Sequence, residues 1–271
     1  RYMAEALLAK LYLNWAVYTA SDVADYTPSA VNSKLNDVVA MCDNIIESGI
    51  FNLSDSYMSK FTPENGPHIK DFIYAMPYDR ESQQGMTYSR FWTHRSANNV
   101  YYGVNLPNSV GGNFAYNPEF SDKFSLEGDD RNEQIIKGPL YVRDPATYKA
   151  TDTPWIIDGV QVTLTREIEL VDENTLDVGN DLKGRSQGYR SIKFYMDLKA
   201  TKAQSRNQSN DVPIFRYADV LLMKAEAILR GATATRGDTP ASLMNQIRTY
   251  VNAPQVTGTP TLDDLLDERA R

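Results

Sequence analysis

One cysteine, two histidines and fewer cations than anions mark this 271-residue chain, and each scarcity closes off a class of function. Cys42 has no partner for an internal disulfide. It falls on the apolar face of a helical pattern, where it reads as a small buried hydrophobe rather than a reactive thiol. His68 and His94 stand 26 positions apart, with no cysteine pair or His-Glu-x-x-His spacing beside them, so no metal site is expected. Lys+Arg 28 against Asp+Glu 35 gives a net charge of -7, the opposite of the dense positive field that holds nucleic acid or an anionic membrane. The expected partner carries no strong charge. No apolar run approaches the roughly 20 residues of a transmembrane helix, and the first residues lack the basic, apolar and small-residue segments of a signal peptide.

What the chain does have is 42% hydrophobic residues, enough to bury a sizeable core, and helical periodicity at both ends. The first helix is expected to run to about Tyr18, with Ala4, Leu8, Leu11, Trp15 and Tyr18 on one stripe. After a break at Pro28 and Ser29, Leu35, Val38, Val39, Cys42, Ile45 and Ile46 match a second amphipathic helix that Gly49 ends. These two should pair as an antiparallel hairpin. Ile214 to Gly231 reads as a helix with Phe215, Ala218, Leu222, Ala225 and Leu229 at core spacing, and Lys224-Ala-Glu-Ala-Ile-Leu-Arg230 echoes Met3-Ala-Glu-Ala-Leu-Leu-Ala9. Thr239 and Pro240 open another helix with Leu243, Ile247 and Tyr250 inward. A last one starts near Thr261, with Leu262, Leu265 and Leu266 inward. Helix hairpins of this size usually stack as tetratricopeptide-like repeats. The fold class is therefore mainly α, with tetratricopeptide-like hairpins. The chain begins and ends inside helical patterns, and it reads as the middle of a longer protein.

Between residues 52 and 211 the helical period disappears, apart from a short helix over 117–124. Residues 72–76, 134–142, 160–170 and 191–198 read as short strands or extended segments. Irregular stretches longer than about 12–15 residues are uncommon and tend to be functional, so this loop-rich insertion is the place to look for binding.

Arg216-Tyr-Ala-Asp-Val-Leu-Leu-Met-Lys-Ala-Glu-Ala227, followed by Asn245-Gln-Ile-Arg248 and Leu265-Leu-Asp-Glu-Arg269, resembles the C-terminal signature of SusD/RagB outer-membrane lipoproteins. Ile45-Ile-Glu-Ser-Gly-Ile-Phe-Asn-Leu53 is similar to the helix and Ser-Gly-aromatic turn of the same family, and Tyr57 to Phe61 and Phe72 to Asp79 continue the likeness. The resemblance implies a fragment of a single SusD-like domain: a helical hairpin over 1–50, a loop-rich binding region over 51–211, and over 212–271 a hairpin plus the start of a further helix. It implies a lipid-anchored protein on the outer-membrane surface of Gram-negative bacteria. Such a protein binds a glycan, less often a peptide, and forms a lid on a SusC-like TonB-dependent transporter. It implies no cofactor and no catalysis. A carboxylate-pair glycosidase is a rival from another class, because two placed acids suffice for that chemistry.

Tyr88, Phe91, Trp92, Tyr101, Tyr102, Phe114, Tyr116, Phe120 and Phe124 give nine aromatics in 37 residues, about twice the chain average of 11%. Arg90, His94, Arg95, Asn98, Asn99, Asn105, Asn108 and Asn113 are interleaved with them. The mixture suits a neutral sugar, whose C–H face lies on a ring while its hydroxyls pair with amides and guanidinium forks. Rings can equally fill a core where regular packing is thin, and Phe120 and Phe124, at helical spacing, are assigned there. The expected ligand-binding set is Tyr88, Trp92, His94, Arg95, Asn98, Tyr101, Tyr102 and Trp155. Trp155 reads either as a second stacking platform or as a loop anchor.

Three other patterns carry less. Gly179 to Ser186 falls one residue short of a phosphate-binding loop, with Arg185 where lysine is needed. Glu127, Asp129 and Asp130 form the densest acidic loop, which suits a solvated turn or, less often, calcium. Arg216, Asp219 and Glu226 lie on a scaffold helix and are expected to bridge neighbouring helices.

Overall fold

A computed structural model describes residues 1–27, 31–106, 110–112, 114–201, 204 and 206–271. The expected break at Pro28 and Ser29 lies outside these residues, as do Asn108 and Asn113.

The first expected helix divides at Asn14 into α1 (Tyr2–Leu13) and α2 (Trp15–Tyr18). The stripe that meets the core is Ala6, Ala9 and Leu13, while Leu8, Leu11 and Tyr18 are exposed. Apolar residues surround α1, so periodicity cannot choose a face. The small side chains of Ala6 and Ala9 share a core cluster with α3 (Leu35–Glu47), to which Leu35, Val38, Val39, Cys42 and Ile45 contribute as expected. The pair is antiparallel: Asn32, just before α3, donates to the carbonyls of Tyr12 and Leu13 at 2.9 and 3.0 Å, and Tyr2 meets Phe51 beyond its other end. Burial pushes the Cys42 thiol well above its ordinary range, in keeping with a packing role.

In the C-terminal part, Val212–Arg216 is a strand and not the first turn of a helix. It pairs antiparallel with the strand Phe72–Met76, Phe72 opposite Arg216 and Met76 opposite Val212. Phe215 reaches the core from that strand. The reason lies in Asp71, whose carboxylate accepts from the Ala218 N–H at 3.1 Å and thereby caps the helix that starts after Arg216. That helix is Tyr217–Leu229 (α7 below). It buries Val220 and Met223 against α1 and α3, and Leu221, Leu222 and Ala225 against the two helices that follow. Its Lys224 is wholly buried between Asp43 and Asp238, each at 2.6 Å.

The following helices are Pro240–Tyr250 (α8) and Leu262–Ala270 (α9), opened by reciprocal caps of Thr239 with Ser242 and Thr261 with Asp264. Leu265 packs inward, whereas Leu262 and Leu266 are exposed. Asp219 and Glu226 of α7 both face Arg269 of α9, so these acids hold helices together, while Arg216 turns to Asp71 at 3.1 Å.

The middle contains short helices at Asn99–Tyr102 (α4), Pro118–Ser121 (α5) and Leu182–Arg185 (α6), and its strands form two-stranded pairs. Ile135–Ile136 pairs with Arg190–Ser191, Gly138–Pro139 with Thr163–Leu164, and Tyr141–Arg143 with Ala150–Pro154. These pairs close around a second core of Tyr101, Tyr102, Leu140, Trp155, Val162 and Leu164. Regular structure is thin here because core side chains, rather than long ladders, set the chain's path.

Candidate functional site

The aromatic-rich segment divides into an open half and a closed half. In the open half, a 3-10 turn over Tyr88–Phe91 is docked against Gly111, Gly112 and Phe114: the Arg90 carbonyl accepts from Gly111 and Gly112 at 3.0 and 3.2 Å, and that of Phe91 from Phe114 at 3.0 Å. Gly112 has φ +70, and a Cβ there would lie 2.4 Å from Arg95 Cα, so the docking requires glycine. The rings then meet in one run. Trp92 lies 4.8 Å from Tyr116, 5.6 Å from Phe114 and 5.9 Å from Tyr88, and Tyr116 stacks on Phe120 at 5.1 Å. Phe120 is half-buried and Phe124 buried, as expected of core rings. At the outer edge, Tyr88 is 43% exposed and Phe114 48% exposed, flanking a half-buried Trp92. Rings of this size usually bury their faces, so two open ones on a rigid neighbour form a ready-made apolar shelf.

The closed half corrects much of the expected site. Trp155 is 0% exposed, with Tyr101 at 4.6 Å and His94 edge-on at 5.3 Å. Tyr101 and Tyr102 are buried beside it and present no open ring face. Of the two roles considered for Trp155, the loop anchor matches its position. Asn98 is exposed, but its side-chain oxygen caps the short helix Asn99–Tyr102 by accepting from Val100 and Tyr101 at 3.1 and 3.2 Å.

His94 is buried too. Its Nδ1 accepts the Ser96 N–H at 3.1 Å, and its Nε2 lies 3.1 Å from Ser186 Oγ, whose own proton goes to the Leu182 carbonyl at 2.7 Å. This network assigns the proton of a neutral ring to Nε2. Burial, with Arg190 and Arg185 nearby, pushes the imidazole pKa down to about 4. The unfolded chain binds the proton first, so His94 contributes stability that is full above about pH 6.5 and is lost as pH falls toward 4. Between pH 7 and pH 4.5, wild type should lose about 2 kcal/mol more than His94→Gln in urea unfolding. Parallel pH profiles would contradict this.

Arg95 is exposed and donates to the Asn180 side chain at 3.1 Å. It borders a cavity of about 660 Å³ that shares Gly112 and Ala115 with the shelf. Phe114 lies between those two residues in sequence. Of the expected set, Tyr88 and Trp92 meet at the open edge with Arg95 at the neighbouring cavity, His94, Tyr101, Tyr102 and Trp155 pack together in the closed half, and Asn98 is used as a helix cap. Phe114, Arg185 and Arg190 join the group from positions the expected set omits. Phe114 could have been read from its place in the aromatic run, but the two arginines lie 71 or more positions further along the chain.

The decoys have structural explanations. The helix Leu182–Arg185 is one turn long, and Asp181 already occupies the Gly184 N–H at 2.8 Å, so no phosphate cradle forms. Asp129 is buried in a bidentate pair with Arg131, which also reaches Glu268 at 2.7 Å. Among the described residues no cluster of three potential metal ligands occurs. A smaller cavity of about 160 Å³ near Arg131, Arg216 and Arg269 has each of those cations paired with an acid.

The family model of the SusD family matches residues 70–271. The chain belongs to the SusD family. This SusD-family chain is similar to a SusD superfamily protein from Parabacteroides distasonis, at 20% identity and TM-score 0.63 over 98% of this chain and 48% of that one. It is similar also to surface glycan-binding protein A from Bacteroides uniformis, at 18% identity and TM-score 0.60 over 99% of this chain and 45% of that one. A third likeness is to surface glycan-binding protein A from Bacteroides thetaiotaomicron in complex with laminarihexaose, at 19% identity and TM-score 0.60 over 97% and 50% of the two chains. The chain thus spans about half the length of the solved structures it matches. No curated protein matches it. Mainly α, with tetratricopeptide-like hairpins and a loop-rich insertion of short strands, its architecture is that of the SusD family.

Proposed function

We propose that this chain is the glycan-capturing part of a cell-surface protein that delivers oligosaccharide or polysaccharide to a SusC-like TonB-dependent transporter. The whole protein would be held at the outer membrane by a lipid anchor. The observation that carries the reading is the shelf of Tyr88, Trp92 and Phe114, open on one side and backed by packed rings. A pyranose laid on it would cover apolar C–H groups, and Arg95 at its border would pair with ring oxygens. Family membership supports the same role, as does the laminarihexaose held by one similar structure.

Capture here needs no covalent step. The acids with the most organised surroundings, Asp71, Asp129 and Glu268, are already committed to Lys60, Arg131 and Arg248. Isothermal titration with oligosaccharides and with peptide mixtures tests the reading. Oligosaccharide binding is expected; binding of peptides alone would point to a peptide importer instead. Reducing-end release from a polysaccharide, lost on changing one Asp or Glu, would overturn the noncatalytic role.

A further inference from the structure

The cavity beside the shelf is lined by three arginines and, among the described residues, by no aspartate or glutamate. Arg95 follows the 3-10 turn, Arg185 ends the one-turn helix and Arg190 starts the strand that pairs with Ile135–Ile136. Arg190 is only 5% exposed. Its NH1 donates to the carbonyls of Gln187 and Gly188 at 2.8 and 2.7 Å, and its NH2 to that of Arg185 at 3.0 Å, so all its partners are neutral. The Nε atoms of Arg185 and Arg190 are buried with no acceptor among the described residues.

Acids close by in the chain are engaged elsewhere. Glu169 pairs with Lys183 at 3.0 Å, and Glu167 and Asp122 both pair with Arg166. Asp177 and Asp181 keep their charge, but they turn to the backbone N–H groups of Gly179 and Gly184, each at 2.8 Å, and neither lines the cavity. The depressed imidazole of His94 agrees with this placement, since Arg190 and Arg185 both add to the effect of burial there.

A buried guanidinium with no counter-charge is disfavoured, and an oxyanion held by the more open Arg95 and Arg185 would lie in the field of Arg190. The exposed Ile168 and Leu176 supply apolar wall at the same cavity. We infer that this cavity receives the acidic group of a glycan, a carboxylate or a sulfate ester, while the sugar ring that carries it rests toward Phe114. The inference rests on the glycan-binding reading and names the substrate class of that site. Because the chain as a whole carries a net charge of -7, anionic polymers are repelled in general and accepted only where these arginines converge.

Matched polymer pairs test it with the chain as it stands. Polygalacturonate is compared with its fully methyl-esterified form, and dextran sulfate with dextran, in affinity gels and titrations. The acidic member of at least one pair should bind at least about tenfold more tightly than its neutral counterpart. Which pair responds separates carboxylate from sulfate. Arg95→Gln with Arg185→Gln should weaken that binding about tenfold or more while thermal melting stays at the wild-type value. Arg190 is left in place because it ties three carbonyls together. Equal binding within both pairs, or full acidic binding by the double variant, overturns the inference and leaves glycan capture standing. Binding to neither acidic polymer overturns it as well. In that case retardation by neutral polysaccharides keeps the broader reading, and retardation by none removes both.

Discussion

Trp155→Ala is expected to destabilise the protein by about 3–5 kcal/mol, the range for deleting a buried aromatic whose site cannot collapse. The indole is wholly buried where several short strands meet, and the strand pair Tyr141–Arg143 with Ala150–Pro154 ends against it. Its own backbone also ties the region together, because the Trp155 N–H donates to the Leu140 carbonyl at 2.9 Å and its carbonyl accepts from Val162 at 3.0 Å. Strands of two or three residues cannot hold such a region by hydrogen bonds alone. The urea midpoint should fall sharply, whereas Tyr88→Ala and Phe114→Ala, which remove rings already partly open to solvent, should cost only about 1 kcal/mol each. A Trp155→Ala variant of near wild-type stability would show that the indole is not the anchor.

Asp71→Ala is the second substitution expected to cost about 3–5 kcal/mol, because it strands two cations. Lys60 Nζ lies 2.8 Å from the Asp71 carboxylate with both side chains at 0% exposure, and Arg216 adds a contact at 3.1 Å. The other carboxylate oxygen caps α7, so the loss combines a helix cap with an uncompensated buried charge. Burial alone would raise the Asp71 carboxyl, but Arg216 and Lys60 outweigh it and hold it below the ordinary carboxylate range. With the folded value depressed, the contribution is present at neutral pH and is lost as pH falls below that range. Lys60→Met in the Asp71→Ala background should restore part of the loss. No restoration would mean that the cap, not the charge, dominates.

Much of the scaffold was legible because its signals are local. The stripe of α3 and the caps at Thr239 and Thr261 lie within a few residues of what they determine. Where two faces compete, local signals fail. The helix α1 is apolar all round, and only its alanines reveal which side α3 can approach. The start of α7 is not legible locally for a related reason: Phe215 fits the helical spacing, but Asp71, 147 positions before Ala218, fixes the cap and leaves Val212–Arg216 to the strand.

The site divides in the same way. Aromatic density between Tyr88 and Phe124 marks the segment that carries the open rings, because Tyr88, Trp92 and Phe114 are close in sequence as well as in space. Density could not separate open rings from buried ones, since burial of Tyr101 and Tyr102 depends on Trp155, more than 50 positions away. The cationic cavity was hidden twice over. Its arginines come from distant segments, and the net charge of -7 suggests a partner without strong charge.

Affinity electrophoresis across neutral and acidic polysaccharides, with wild type beside a Tyr88→Ala/Phe114→Ala double variant, tests glycan capture at the shelf most directly. At least one polysaccharide should retard wild type, and the double variant, still folded, should bind it about tenfold more weakly. Equal retardation of both proteins would contradict a site at these rings, and retardation of neither by any polysaccharide would contradict glycan capture itself.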